Sequence, residues 1–459
     1  MILVETKKTF YPILGRRENI ERQMVEQKRK QAGIAFPSQS KQKNLLIVRL
    51  DILPVSNLKV ISDGLRRLCT FFENIDSGII KIDEMIDDTI VMCPLSAFNF
   101  SATFGFGKSF FRKLNLLNKC PNNLIDLPNH SNVGDHIQYV LQQTDIILQL
   151  CSESYSLNNM ILQNDQYLFY DNDYVEMKSK NFDNLISDIL SGINGWAKMT
   201  DHHIGFLRTD GRNIKGFYDG ISNPDRIMND VIWTSSNEKL KEPSDGTYMV
   251  FHKIEHNLKD WYKLDLSTQE RLIGRSKATG LLLGTLSPDT EKKLVADLHS
   301  SIPDKRNQAV QKWRQLINHQ KNPKENFFDQ YDVRYTNILK NCPTTSHVRT
   351  ANPRHINNQK LIFRRGYLYM EGGDQQLKSG LLFISFQKNI QETFESIKKN
   401  TVSNSYTSNA KEVVYDKSLL KNDDTSVKGS FNNTNLGGGY YYIPPIANRK
   451  ISEIGQEFF

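Results

Sequence analysis

Apolar runs and helical patterns alternate through the first half of the chain. Residues 44–52, NLLIVRLDI, have the length and branched apolar content of a buried strand. The apolar positions that follow share one face of a helix: Val60, Leu65, Leu68, Phe72 and Ile75. A strand within 88–95, a helix that begins within 109–114 and a strand within 145–154 come next. This order is close to βαββαβ and predicts a ferredoxin-like domain with antiparallel strand pairing.

The second half shows a similar plan with long insertions. Residues 380–387, GLLFISFQ, predict a strand that runs into a helix, whose apolar face holds Ile390, Phe394 and Ile397. A helix-rich stretch occupies about 265–340, and the polar sequence after residue 399 is typical of exposed loops. We therefore predict an α+β protein in three parts: an amino-terminal arm (1–43), a first domain (44–205) and a second domain with the helical insertion (206–459).

Length and composition narrow the class of protein. A chain of 459 residues is longer than one hydrophobic core usually supports, as expected for two domains. No apolar run reaches the roughly 18 to 20 residues that a membrane-spanning helix needs. The net charge of +8 comes largely from the arm and from scattered helical faces, and such charges are usually solvated. Neither an integral membrane protein nor a nucleic-acid-binding protein is therefore predicted.

Cysteine usage and the amino terminus bear on the compartment. The five cysteines are odd in number, widely spaced and without a C-x-x-C pair, which argues against disulfides and against a zinc site. They are predicted to be reduced core residues. The first 15 residues lack the apolar stretch of a secretory signal, and a polar segment follows Arg16-Arg17, unlike a twin-arginine signal. These features predict a cytoplasmic protein.

Several motif-like segments lack a requirement of the sites that they resemble. ATFGFGKS (102–109) has alanine where a phosphate-binding loop needs its first glycine. DGRNIKGFYDG (210–220) lacks the acid spacing of a calcium loop, and LGGGY (436–440) is more typical of a tight turn. His202 and His203, as neighbours on a strand, would face opposite sides and would not easily bind one metal.

One short segment, GFYDGISNPD at 216–225, sets Asp219 between two glycines. Gly, Asp, Asn and Pro are the residues of turns, so this segment alone indicates a turn. Further along, His347 and an arginine pair lie in SHVRTANPRHINNQKLIFRRGYLY. A haem iron needs one neutral imidazole, and activation of peroxide on its other face needs a proton acceptor and a cation. Histidine, aspartate and arginine supply these three parts.

Eight segments between residues 44 and 450 follow one another in a specific order: TFGFGKSFF, DIILQLCSES, GRNIKGFYDGISNP, QERLIGRSKATGLLLG, SHVRTANPR, LIFRRGYLY, GLLFISFQKNI and GGGYYYIPP. In this combination the chain resembles the dye-decolorising peroxidase family, of the type that includes bacterial deferrochelatase-like enzymes. The resemblance implies tandem ferredoxin-like domains with central antiparallel β-sheets. It also implies haem b (iron protoporphyrin IX) bound in the second domain.

The resemblance assigns roles to individual residues of this chain. It places the distal aspartate on Asp219, the axial haem ligand on His347 and the distal arginine on Arg364. Arg365 could be confused with Arg364, and the first of the pair is preferred because relatives often keep only that one. Two further cofactor contacts are implied: Arg349 and Phe386.

The activity implied is the reduction of hydrogen peroxide with oxidation of an organic reductant such as a dye or a phenol. Asp219 would accept and redeliver a proton, and Arg364 would stabilise the departing oxygen. A carboxylate base favours acidic conditions, so oxidation is expected to be fastest below neutral pH. Two alternatives stay open: a haem-handling protein that releases iron from haem or carries haem, and an interaction protein that keeps the fold without haem. A homo-oligomer is also left open.

Two further features concern electron transfer. A bulky dye cannot reach a buried haem, so an aromatic relay to the surface is one hypothesis, although each tryptophan singly is more typical of a core: Trp196, Trp233, Trp261 and Trp313. Many members of the family carry aspartate where this chain has Asn389. A carboxylate there would raise the basicity of the axial imidazole, so a different redox potential is expected.

Overall fold

The structure is a computed structural model that combines helices with a large antiparallel sheet. It describes residues 30–35, 42–54, 57–79, 81–86, 89–128, 140–153, 185–224, 229–237, 243–322, 325–351, 360–372, 377–402, 433–446 and 450–459. The predicted α+β class is confirmed. Most of the predicted arm, and most of the polar segment after residue 399, lie outside the described residues.

The strands are β1 (Asn44–Ile52), β2 (Lys81–Ile86), β3 (Thr89–Pro94), β4 (Ser101–Gly107), β5 (Ile146–Ser152), β6 (Ala197–Phe206), β7 (Thr247–His256), β8 (Phe363–Arg364), β9 (Tyr367–Glu371), β10 (Lys378–Gln387) and β11 (Asn433–Ile443). The α-helices are α1 (Ala32–Ala35), α2 (Leu58–Asp76), α3 (Lys108–Lys113), α4 (Asn229–Ile232), α5 (Leu258–Trp261), α6 (Leu266–Ile273), α7 (Pro288–Leu298), α8 (Pro303–Lys321), α9 (Thr336–Asn341), α10 (His347–Ala351) and α11 (Ser396–Val402). A π-helix, Ile390–Glu395, leads into α11.

The main sheet closes on itself. Its strand order is β7-β11-β4-β5-β1-β6-β9-β10-β8, and β7 also pairs with β10. Because β8 and β9 lie along the same edge of β10, this additional pairing closes eight strands into a barrel. Strands from both predicted domains therefore share one hydrogen-bonded sheet, while β2 and β3 form a separate hairpin. The division into two domains stays a prediction.

Alternation along each strand separates the barrel interior from its outer face. On β1, Leu45 and Ile47 belong to the interior cluster, whereas Leu46, Val48 and Leu50 pack outside. The outer cluster includes the apolar face of α2: Ile61, Leu65, Leu68, Cys69, Phe72 and Ile75. Helix α2 starts where the Asn57 side chain accepts a hydrogen bond from Val60 N at 2.9 Å, which satisfies a free amide of the first turn.

Two glycine-containing segments form strands that the sequence does not reveal. Residues 101–107 form β4, which overlaps the segment first compared with a phosphate loop (102–109). The prediction of a tight turn at 436–440 is wrong, because these residues lie in β11. A Cβ atom added to Gly438 would lie 2.0 Å from the carbonyl oxygen of Phe251, so glycine allows β11 to approach β7 closely.

Other predictions from composition and pattern agree with the structure. The stretch 265–340 is helical, through α6, α7, α8 and α9. All five cysteines are buried and free of disulfides. On β6, His203 is buried and His202 is exposed, so neighbouring histidines do face opposite sides. Among the helices that the structure describes, none is long and apolar enough to cross a membrane.

Candidate functional site

Aromatic neighbours hold the loop around Asp219. Phe217 is buried against Trp261, with ring centroids 6.1 Å apart, in a small cluster beside α6. Tyr218 packs against Trp313 of α8, with ring centroids 5.8 Å apart. The backbone of Phe217 also donates to the side chain of Asn213 at 3.0 Å. Two aromatic side chains in two different clusters therefore leave Asp219 little freedom of position.

Glycine is required on both sides of this aspartate. Gly216 has φ of 87° and Gly220 has φ of 76°, in the left-handed region that side chains with a Cβ atom disfavour. The Gly220 amide donates to Asp219 Oδ1 at 2.6 Å. The turn predicted from the sequence is thus present, and it orients the carboxylate.

Asp219 and Arg364 form a contact across 145 positions of sequence. Arg364 Nη1 donates to Asp219 Oδ1 at 3.2 Å. The side chains of Arg364 and Asp219 are 32% and 44% exposed, respectively, so both are accessible to solvent. A carboxylate that can accept a proton thus lies beside a fixed positive charge, as general acid–base chemistry on an anionic intermediate would need.

The two adjacent arginines have different surroundings. Arg365 is fully buried and donates to Gln42 Oε1 at 2.6 Å. Its strand neighbours Phe363 and Tyr367 belong to the barrel interior, whereas Arg364 alternates to the outer face. The structure therefore brings Arg364, and not Arg365, to Asp219.

Asn223 belongs to this site and is missed by sequence reasoning, which interprets Asn223-Pro224 only as the end of a turn. The Asn223 side chain donates from Nδ2 to the Arg364 carbonyl at 2.8 Å, and its Oδ1 accepts from the Arg364 amide at 2.8 Å. Such a contact between distant segments has no local signal in the sequence.

His347 is the first residue of α10, and its side chain is partly exposed. Helix α10 packs against α6 and α11. An added Cβ at Gly274, the left-handed cap of α6, would lie 2.4 Å from Val348 Cγ2, so the approach of the two helices is close. Ser385 of β10 pairs with Arg364, and the chain continues from β10 through the π-helix into α11. Because α11 packs against α10, this segment links the surroundings of Arg364 with those of His347.

The two further cofactor contacts lie in packed surroundings. Arg349 donates to the carbonyl of Cys342 at 2.8 Å and lies over the ring of Phe328 at 5.2 Å, and burial lowers the pKa of its guanidinium. Phe386 lies in the barrel interior opposite Phe363, on the face of the sheet away from Arg364. Their roles as haem contacts stay predictions.

Asn389 and the tryptophans also have defined places. The Asn389 side chain caps the π-helix by accepting from the amide of Glu392 at 3.1 Å. Three of the four tryptophans are buried, and Trp313 is partly exposed. Trp313 contacts Tyr218, the residue next to Asp219, and both side chains are partly exposed. The aromatic relay stays a prediction.

Cations border the Asp219 loop. The Arg212 guanidinium lies 3.9 Å from the ring centre of Tyr218 and donates to the carbonyl groups of Gly216 and Lys277. Burial, and then the nearby Arg212 charge, lower the pKa of the Lys277 ammonium group. Arg212 thus joins the loop at Gly216 to the backbone of Lys277.

The donor set fits a haem group better than a chelated ion. A haem iron takes a single axial imidazole, which the partly exposed His347 can supply. In the part of the chain that the structure describes, no three His, Cys, Asp or Glu side chains are grouped to hold a metal ion. The partly exposed Asp219–Arg364 pair offers a carboxylate beside a cation.

Comparison with known proteins gives consistent matches. The family model described as "Dyp-type peroxidase, N-terminal" matches residues 31–182, and "Dyp-type peroxidase, C-terminal" matches residues 210–415. The deferrochelatase of Shigella flexneri serotype 5b (strain 8401) is 23% identical over 335 residues, 71% of this chain and 63% of that protein. The chain thus spans less than two thirds of that relative's length.

Solved structures agree on the fold. The DyP-type peroxidase from Streptomyces coelicolor has a TM-score of 0.59 and 20% identity, and the match covers 93% of this chain and 94% of that chain. Ferric DtpA from Streptomyces lividans matches with the same TM-score, identity and coverage.

Proposed function

Because the chain belongs to the Dyp-type peroxidase family, we propose that it is a haem-dependent peroxidase that reduces hydrogen peroxide while it oxidises an organic compound such as a dye or a phenol. The family is one of oxidoreductases, and its cofactor is haem. The observation that carries the proposal is the contact of Asp219 with Arg364 at 3.2 Å, in a loop that glycines and buried aromatics hold in place.

Haem, when bound, supplies the iron that takes up peroxide and the electrons for its reduction. His347 would hold it through its imidazole. Asp219 would take a proton from the bound peroxide and return it to the oxygen that leaves as water. The Arg364 guanidinium would stabilise negative charge on that oxygen, and its contact would keep the carboxylate oriented.

We also propose that the chain folds as two ferredoxin-like halves. Two ferredoxin-like halves, with haem in the second, would place His347 and Arg364 in the same half as Asp219. All three residues lie within the match to the carboxyl-terminal family model, which supports this placement.

The first test is haem binding followed by ultraviolet–visible spectroscopy. Haem is titrated into the wild-type protein, His347→Ala and the control His299→Ala, which removes an exposed imidazole at the end of α7. A Soret band that is lost only in His347→Ala supports the axial role. If His347→Ala binds haem as the wild type does, the assignment of His347 is wrong.

The second test is turnover with hydrogen peroxide and a phenol at mildly acid pH. Turnover by the haem-loaded wild type is expected. Its absence, with tight haem binding, would instead favour a haem-handling protein that releases iron from haem, the second candidate. This candidate is supported by the similarity of the chain to deferrochelatases, which are 23% identical in the Shigella flexneri case. Iron release is measured directly, as ferrous iron captured by a chelator in the presence of a reductant.

A further inference from the structure

The short strand β8 pairs with β10 along one edge, and the backbone of Arg364 lies at its other edge. Arg365 donates its amide to the carbonyl of Ile384 in β10 at 2.8 Å. Because successive residues of a strand direct their backbone groups to opposite sides, the amide and carbonyl of Arg364 face away from β10. An unpaired backbone edge would cost free energy or admit water, so the partner at this edge matters.

Asn223 occupies that edge as a neighbouring strand would. One carboxamide supplies both the acceptor for the Arg364 amide and the donor for the Arg364 carbonyl, each at 2.8 Å. Asparagine is the shortest side chain with a donor and an acceptor in one plane. Asn223 also lies only four positions after Asp219, in the same loop.

We propose that Asn223 is a positioning residue, which sets the distance between the carboxylate of Asp219 and the guanidinium of Arg364 by joining the loop to the backbone of β8. This inference rests on the proposed peroxidase function. The separation of the pair, 3.2 Å, is the quantity that the two Asn223 bonds determine. Without them, the contact of two half-exposed side chains has to hold the loop and β8 together, and contacts of this kind are weak.

Ser222, the neighbour of Asn223, bonds to the helical region and not to β8. Ser222 Oγ accepts from Arg275 Nη2 at 2.9 Å, and Arg275 also donates to the carbonyl of Gly280 and to Gln320 of α8. These bonds fix the loop to the helical region, whereas the Asn223 bonds fix it to the barrel. The neighbouring Ser222 therefore offers a control that loosens the loop without releasing Arg364.

The first experiment uses the haem-free protein and measures hydrogen exchange of the Arg364 amide by mass spectrometry of peptides across 360–372. Asn223→Leu removes both bonds and is expected to speed exchange of this amide about 10-fold, which corresponds to about 1.4 kcal/mol and is the size expected for the loss of two hydrogen bonds. Ser222→Ala should leave this exchange as in the wild type. Unchanged exchange in Asn223→Leu would overturn the proposal, whatever the protein catalyses.

The second experiment is a double-mutant cycle on kcat/KM for hydrogen peroxide with the haem-loaded protein. Asn223→Leu is expected to lower kcat/KM about 10- to 100-fold, because small misplacements of a reacting group have effects of this size. Haem affinity should stay unchanged. Arg364→Ala keeps the backbone that Asn223 binds but removes the guanidinium. In this background Asn223→Leu should have a clearly smaller effect, because its proposed role is to set the separation of that guanidinium from Asp219.

The outcomes separate this proposal from the function on which it rests. Fully additive losses in the cycle would mean that Asn223 does not act through Arg364, and would overturn the positioning role. A wild-type protein without peroxide turnover would overturn the proposed function, while the exchange measurement would still decide whether Asn223 holds Arg364.

Discussion

At the scale of the residue, Asp219 shows how one carboxylate is prepared by its neighbours. Phe217 and Tyr218 are anchored in separate clusters, and the amide of Gly220 holds one carboxylate oxygen. The residue types of this turn are ordinary. Their combined effect is to present a partly exposed carboxylate to Arg364, with little conformational freedom left to lose on binding a reactant.

Replacement of Asp219 by asparagine tests its role as proton acceptor. Asp219→Asn keeps the size of the side chain but removes the base, so peroxide turnover is expected to fall about 100- to 10,000-fold, the range of general base catalysis. Haem affinity should be unchanged. Asp210→Asn is the matched control, since Asp210 is a half-exposed carboxylate of the same segment that pairs with Arg208. Equal losses in both variants would point to loop damage in place of proton transfer.

Alanine substitutions at Gly216 and Gly220 distinguish the cost of backbone strain from the cost of steric contact. Alanine at Gly220 meets open space and is expected to cost only the left-handed penalty, about 1 kcal/mol. Alanine at Gly216 adds a contact of 2.6 Å with Lys277 Cε, the far end of a flexible side chain, and should cost slightly more because Lys277 has to move. Chemical denaturation of both variants measures the free energy of unfolding. A Gly220→Ala loss equal to or larger than that of Gly216→Ala would contradict this account.

At the scale of the element, the end of α6 determines where α10 begins. Gly274 caps α6 with φ of 90°, and a Cβ atom there would lie close to Val348 and to Ser346, the residues on either side of His347. Helix packing of this kind leaves no room for a methyl group. The position of the imidazole therefore depends on a glycine 73 residues earlier in the chain.

Substitution of Gly274 should therefore weaken haem binding. Gly274→Ala is expected to shift α10 and to lower haem affinity at least about 10-fold, because the ligand geometry depends on a fixed imidazole. Gly195→Ala is the control, since Gly195 has φ of 82° but an added Cβ meets nothing within 4 Å. Both variants carry the left-handed penalty, so only Gly274→Ala should change the haem titration. Loss of affinity in both would indicate a general effect of lower stability.

At the scale of the whole molecule, charged side chains from distant strands meet on the interior face of the closed barrel. Lys253 of β7 donates to both carboxylate oxygens of Glu371 of β9 at 2.6 Å, and Lys253 Nζ lies 3.4 Å from His203 Nδ1 of β6. Burial opposes ionisation of Glu371, but the contacts with His203 and Lys253 prevail and lower its pKa from 4.5 to about 2. Ionised Glu371 thus stabilises the folded barrel.

This pKa predicts the direction of the acid dependence. Because the folded-state pKa lies below the unfolded value, the stabilisation is complete above pH 4.5 and is lost as the pH falls toward about 2. Glu371→Gln should lower the free energy of unfolding at neutral pH. It should also make the free energy of unfolding depend less steeply on pH across this range. The effect is on the order of 1 kcal/mol, because Glu371 is 41% exposed and solvent screens the pair.

Denaturation of wild type and Glu371→Gln between pH 2 and neutral pH measures this slope. Glu255→Gln, on β7 itself, is the control for removal of a carboxylate from the same region. If Glu371→Gln keeps the wild-type slope, the acid dependence has another origin.

Local pattern in the sequence was sufficient to predict several of the elements. Strand β1, helix α2 and the helical stretch from 265 to 340 follow from apolar periodicity, which depends only on nearby residues. The assignment of Asp219, His347 and Arg364 to the site stays a prediction, drawn from what peroxide activation on a haem requires and from the family resemblance. The elements depend on short segments, and local sequence was therefore enough to predict them.

Contacts between distant segments were decided only by the tertiary structure. Closure of the barrel through β7 and β10, the pairing of the glycine-rich β11 and the bonds of Asn223 to Arg364 all join residues far apart in sequence. Glycine has no side chain to show a strand pattern, and an asparagine side chain can pair with any backbone edge that the fold brings near. Such pairings depend on which edges meet in three dimensions, which local periodicity does not encode.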